Sequence, residues 1–354
     1  MPAPPVIVII NPGSTSTKLA LSDDEGVFLR AQTLPHGILE LGKFETLWDQ
    51  FPFRLDLCRQ WLRGDDGEYL AVVAMGGLLR PVDGGIYSVN DKMIADARAN
   101  LQGEHASNLG CALARELADE RRCPAYVVDP VSVDEFEPLA YYSGHPCIKR
   151  RSLSHALNLH AAARRAAAEL QLPVDGSSFV IGHLGGGISV AAVRNGKIID
   201  VNDAASDGPF SPERTGGLPL QPWITLCCSG KLSEAELRAM VMGKGGLAAY
   251  VGTNSVTDVE ARIRRGDQTA REVLAAMAYQ IAKEIGSMAT VLHGRVDAIV
   301  LTGGVAHSTM LTADVVERVA SIGRVLLYPG EDEMRSLALA AIRVLRGEEQ
   351  PKEY

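Results

Sequence analysis

Apolar residues recur along this chain in two rhythms. Short runs come first: residues 6–10 are unbroken Val-Ile-Val-Ile-Ile, and shorter runs at 18–21 and 27–29 follow two turns, Asn11–Thr17 and Asp23–Gly26. Brief apolar runs bounded by Gly, Pro, Asn and Asp predict strands. Longer stretches, with apolar positions on a helical period, predict helices at about 105–121, 154–169 and 267–292.

The strand rhythm repeats. Residues 178–203, SFVIGHLGGGISVAAVRNGKIIDVND, read as strand, Gly-rich turn, strand, Asn-Gly turn, strand. Residues 6–30 have the same order, with Gly26 closing the second turn. Two such copies about 170 residues apart predict a duplicated domain. A third apolar run at 296–301 breaks at Thr302-Gly303-Gly304 before a helical pattern. In α/β architectures nucleotides sit outside the carboxyl end of such a strand.

Length and charge narrow the classes. A chain of 354 residues exceeds one typical core, so two domains are expected. A net charge of -8 disfavours nucleic-acid and anionic-membrane partners. No apolar run is long enough to span a bilayer, and residues 1–10 lack the basic start and cleavage site of a signal peptide. The six cysteines form no C-x-x-C pair, which fits a reducing cytoplasm rather than a disulfide or zinc framework. Cys227-Cys228 reads as a packing pair.

The turns carry the candidate chemistry. Glycine lets the backbone approach a ligand, and successive N–H groups with Ser or Thr hydroxyls form anion-binding concavities. Asn11-Pro12-Gly13-Ser14-Thr15-Ser16-Thr17-Lys18 has that composition, yet it is not a Walker A motif and lies between two strands. A phosphate hairpin and a plain tight turn both fit it. Gly185-Gly186-Gly187, flanked by His183 and Ser189, favours the former, as does Gly303-Gly304.

These residues resemble the acetate/butyrate kinase family, of the acetate and sugar kinase, actin and heat-shock ATPase superfamily, and look closest to the butyrate kinases. Residues 11–18 are similar to that family's first phosphate hairpin and 182–189 to its second. The stretch GPFSPERTGGLP at 208–219 resembles its arginine loop, and Leu301-Thr302-Gly303-Gly304 its adenosine motif. Weaker matches lie at 103–110, 129–135 and 329–334. The resemblance implies an α/β fold of two duplicated ribonuclease-H-like domains around a nucleotide cleft. We expect a first lobe over 1–130, joined by 331–354, and a second over 131–330.

The activity implied is reversible in-line transfer, butyrate plus ATP giving butyryl phosphate plus ADP, with Mg²⁺, in a homo-oligomer. A carboxylate acceptor is ionised near neutral pH and needs no general base. The obstacle is bringing one anion to another, so cations and donors around the phosphoryl group carry the catalysis. Arg214 is the first candidate for that work. By resemblance His155 and His183 face the phosphoryl group, and Asp129 orients a metal or an arginine. Asn11, Gly13, Ser14, Ser16, Lys18, Gly185, Gly186, Gly187, Gly303 and Gly304 hold nucleotide and phosphate, while Glu331 and Asn11 take the metal. His105 and Arg80 are candidates for the substrate.

The pattern breaks at Met75, where other members have an arginine that helps hold the substrate carboxylate. Arg80 folding back as a substitute, a different acceptor (acetate, propionate or isobutyrate), and a weakly active nucleotide-gated binding protein all remain open. A sugar kinase would use Asp129 as base, but the chain leaves little room for a sugar-binding insertion.

Overall fold

The computed structural model describes residues 5–65 and 67–354. They form two compact units, one comprising the chain up to Val133 together with Asp332–Tyr354, the other Asp134–Glu331.

The first unit is built on a six-stranded sheet in the order β3-β2-β1-β4-β6-β5, with β1 Val6–Pro12, β2 Ser16–Ser22, β3 Phe28–Pro35, β4 Tyr69–Met75, β5 Ile86–Ser88 and β6 Ala125–Val128. Strands β1 to β3 form an antiparallel meander, and β4 and β6 continue the sheet in parallel on the far side of β1. Helices Gly110–Arg121 and Glu333–Leu345 pack against β1 and β4. Every residue of β1 is buried, which is why its sequence is continuously apolar and does not alternate. At the sheet edge β3 is almost wholly exposed. It extends beyond the expected 27–29 because Arg30, Gln32 and Thr33 pair in the ladder while facing water. An edge strand needs no apolar run.

The second unit repeats the scheme with five strands in the order β11-β10-β7-β8-β9: β7 Ser178–Leu184, β8 Ile188–Arg194, β9 Lys197–Val201, β10 Ala298–Gly303 and β11 Val325–Pro329. Again three antiparallel strands form a meander, and two parallel strands extend from the first of them. Asn195-Gly196 closes the β8–β9 hairpin with φ of 55° and 75°, the left-handed pair that such two-residue turns require. Helices Ala156–Leu170 and Gln268–Val291 cover this sheet. Ile281 and Ile285 pack into one core with Val180, Val190 and Ile299. The duplication read from the two segments is therefore a duplication of sheet topology.

Candidate active site

In the second unit the candidate residues gather where β7 and β10 end. His183, the penultimate residue of β7, is level with Thr302 of β10, which is level with Tyr328 of β11. His155 lies immediately before helix Ala156–Leu170, and its ring stacks on that of His183 with centroids 4.0 Å apart and planes 19° from parallel. His155 Nδ1 is 2.9 Å from Ser189 Oγ, so the start of β8 orients the ring. His183 is buried, its Nε2 3.5 Å from Glu331 Oε1.

The three glycines between β7 and β8 have distinct neighbours. A Cβ on Gly185 would lie 3.0 Å from His183 Nε2 and 3.4 Å from Glu331 Oε1; one on Gly186 would lie 3.3 Å from Glu213 Oε1. On Gly187 it would come within 2.3 Å of Arg214 Nη1 and 2.7 Å of its Cζ. The Arg214 guanidinium thus rests directly on the Gly187 backbone. Its Nη1 donates to Ala204 O at 2.9 Å, and the Arg214 backbone N–H donates to Ser211 Oγ at 3.1 Å. Ser211 Oγ in turn donates to Gly186 O, tying the arginine loop to the glycine turn. Burial lowers the Arg214 pKa, opposed by Glu213 and Asp203; a guanidinium stays charged even so.

Arg214 Nε and His183 Nδ1 are buried without a hydrogen-bond partner among the described residues. Gly303 has φ 94°, and a Cβ there would meet Leu184 O at 2.3 Å, so the turn after β10 packs against the end of β7. Gly303 and Gly330 exchange backbone hydrogen bonds of 3.0 Å, placing Glu331 beside the same strand ends. Beside Gly304 there is open space.

The first unit holds its own constellation. Gly13 N donates to Ser16 O at 2.8 Å, closing the β1–β2 turn, whose tip residues Ser14 and Thr15 are exposed. Asn11 and Lys18 are cross-strand partners. The carboxylate they share is Glu333, at the start of the last helix: Asn11 Nδ2 donates to Glu333 Oε2 at 2.6 Å, and Lys18 Nζ lies 3.9 Å from the same oxygen. Asp129 follows β6, buried, with φ 38°, an uncommon conformation for a residue with a side chain. Its Oδ1 accepts from Gly85 N at 2.7 Å, and its backbone N–H donates to Gly85 O at 3.0 Å.

Around Met75 the chain is tightly packed. A Cβ on Gly76 would sit 2.5 Å from Val127 Cγ1, and one on Gly77 2.3 Å from Asn108 Oδ1, which accepts from Leu78 N at 2.7 Å. His105 caps the short turn Ala106–Leu109, its Nδ1 accepting from Ser107 N. Arg80 directs its guanidinium to Asp96, with Nε donating at 2.7 Å, and the Tyr354 hydroxyl donates to the same carboxylate.

Sequence reasoning passed over Glu333, Arg54, Gln50 and His36. Arg54 carried a signal: it lies four residues before Cys58 on the helix Phe51–Trp61, and both are buried. A charged residue on an apolar stripe asks for a reason.

Residues 138–331 match the acetokinase family. A probable butyrate kinase of Listeria innocua is 48% identical over 352 residues, covering 98% of this chain and 99% of the relative. Butyrate kinase 2 of Clostridium acetobutylicum is 46% identical with the same coverage. The crystal structure of Porphyromonas gingivalis acetate kinase superimposes with a TM-score of 0.78 at 19% identity, covering 97% of this chain and all of that one. With its two topologically duplicated sheets and near-full-length similarity to those relatives, the chain belongs to the acetokinase family.

Proposed function

We propose that the protein transfers the γ-phosphoryl group of ATP to a short-chain carboxylate, butyrate, reversibly forming butyryl phosphate and ADP. The observation that carries this reading is the Arg214 guanidinium laid on Gly187 in the unit that also stacks His155 on His183. A carboxylate oxygen attacks phosphorus, the bond to the bridging oxygen of ADP breaks, and its electron pair leaves with ADP. No proton is removed, because the acceptor is already an anion. Arg214 offsets repulsion between acceptor and phosphoryl oxygens and has planar donors suited to both. His155 and His183 donate to oxygens that gain charge in transfer.

Gly303 and Gly304 take the adenosine side, and the Gly13–Ser16 turn contributes donors to phosphate. Mg²⁺ is part of the proposal. Asn11 and Glu333 offer the hard oxygen donors it prefers, with Asp129 also in the first unit. Among the described residues no group of three or more His, Cys, Asp or Glu side chains is arranged to hold a metal. Magnesium commonly uses one or two carboxylates and keeps its waters, so Glu333 fits that role better than Glu331, which faces His183. Bound there, the ion would neutralise phosphate oxygens.

Hydroxamate trapping of acyl phosphate with ATP, Mg²⁺ and a panel of acids tests the reading. Turnover greatest with butyrate supports it. Tight ATP binding without acyl phosphate from any acid refutes it.

We also propose a homo-oligomer in the cytoplasm. Helix Leu220–Cys227 buries none of its residues, with Leu220 71% and Ile224 51% exposed. Cys227 and Cys228 are exposed as well, so they are not the packing pair expected. Such an apolar face suits an interface, and light scattering on the eluted protein measures its state. No helix among the described residues is long and apolar enough to cross a membrane.

A further inference from the structure

Behind the first hairpin lies a charge that the reaction scheme above does not use. Arg54 is fully buried. Its Nη1 donates to Gly13 O at 2.9 Å, to Ser16 O at 3.3 Å and to Thr17 Oγ1 at 3.2 Å. Its Nε and Nη2 both donate to Gln50 Oε1, at 3.2 and 2.9 Å. Every one of these acceptors is neutral. His36 braces the same turn: its backbone N–H donates to Thr15 O at 2.8 Å, and its Nε2 lies 2.9 Å from Thr17 Oγ1.

Two consequences follow from elementary geometry and electrostatics. A peptide unit is planar and trans, so its C=O and N–H point in opposite directions. Drawing the Gly13 carbonyl down onto Arg54 therefore turns the Ser14 N–H away from Arg54, at an exposed residue of the turn. Moreover, a buried cation held only by neutral acceptors is left with its charge uncompensated. That arrangement is unfavourable in isolation and becomes favourable when an anion settles over the turn.

Resting on the reading of this turn as a phosphate hairpin, we infer that Arg54 is a positioning residue that fixes the Gly13–Ser14 peptide with its N–H outward and supplies, from beneath, the positive charge that an oligophosphate meets there. The specific device is the pairing of Arg54 with neutral Gln50, which supplies hydrogen-bond acceptors without cancelling the charge.

Gln50→Glu in the full-length protein is the decisive variant. It keeps an oxygen for both Arg54 donors and gives the guanidinium a counter-ion, so the fold should melt no lower than wild type. Calorimetric affinity for inorganic tripolyphosphate should nonetheless fall about tenfold, with adenosine affinity within twofold of wild type. Arg54→Met should weaken tripolyphosphate more than thirtyfold, and Arg54→Lys should recover part of that loss. Unchanged tripolyphosphate affinity in Gln50→Glu would overturn the inference, as would equal losses for adenosine and tripolyphosphate in Arg54→Met. Ser14→Glu separates this from the reading beneath it. If that charge at the turn abolishes tripolyphosphate binding while Gln50→Glu does nothing, only the role of Arg54 fails. If Ser14→Glu also does nothing, the hairpin is not a phosphate site.

Discussion

Replacing Gly187 with alanine perturbs the proposed chemistry by adding one methyl group. The backbone at Gly187 is not in the left-handed region, so alanine introduces no φ strain. The methyl carbon, however, would lie 2.3 Å from Arg214 Nη1, where ordinary contact begins near 3.4 Å. The guanidinium must therefore move by about 1 Å, breaking the 2.9 Å bond to Ala204 O. A displacement of that size in a group acting on the transition state costs on the order of 100-fold in rate, or about 2.7 kcal/mol. Gly186→Ala and Gly185→Ala are the controls. At Gly186 the new methyl meets the far end of Glu213 at 3.3 Å, which yields easily, and turnover should stay within about threefold. At Gly185 it presses on His183 at 3.0 Å and Glu331 at 3.4 Å, and the loss should be intermediate, about tenfold. Hydroxamate trapping gives the rates, calorimetry the ATP affinity, and thermal melting a check on folding. ATP affinity should change little at position 187. Turnover of Gly187→Ala within threefold of wild type, or a reversed order of the three losses, would show that the Arg214 guanidinium does not act on the transition state.

Other predictions rest on separate contacts. His183→Gln should lower kcat by roughly 10²–10³-fold, as loss of a transition-state donor does, with little change in ATP affinity; equal losses in both would assign it to ground-state binding. Glu333→Gln should raise the Mg²⁺ concentration for half-maximal activity about tenfold, read by metal titration, whereas Glu331→Gln should leave that midpoint nearly unmoved. Met75→Arg should lower KM for butyrate by roughly tenfold if a carboxylate contact is absent at the end of β4, and an unchanged KM would show that the acceptor is held otherwise. The Asp207 carboxyl is pushed up from its ordinary 3.8 to about 6, chiefly by burial, with Arg150 opposing and Asp203 adding to it. The folded state thus binds this proton more tightly, and the group's contribution to stability falls as pH rises from about 4 to 6. Asp207→Asn should gain about 1–2 kcal/mol at pH 7, with the gain vanishing below pH 4 in thermal melts.

Local sequence determined a good deal. The continuous apolar run of β1 announced a strand covered by packed helices, the Asn195-Gly196 pair specified a hairpin, and the two meanders could be matched along the chain because short apolar runs and Gly turns are local features. Gly185, Gly186 and Gly187 were visible as a turn between two strands for the same reason. What only the tertiary structure decided was which partner each residue meets. Nothing near Gly187 in the chain specifies that Arg214, 27 positions on, lies across it, and nothing near Asn11 points to Glu333 in preference to Glu331. The last helix begins at Glu333, whose carboxylate meets Asn11, while Glu331, two residues earlier, lies beside His183. Arg80 likewise looked available until Asp96 and Tyr354 claimed it. Side-chain type sets what a residue can bind, whereas close packing between segments distant in sequence sets what it does bind. The charge of Arg54 was written in the chain; its burial against neutral acceptors was not.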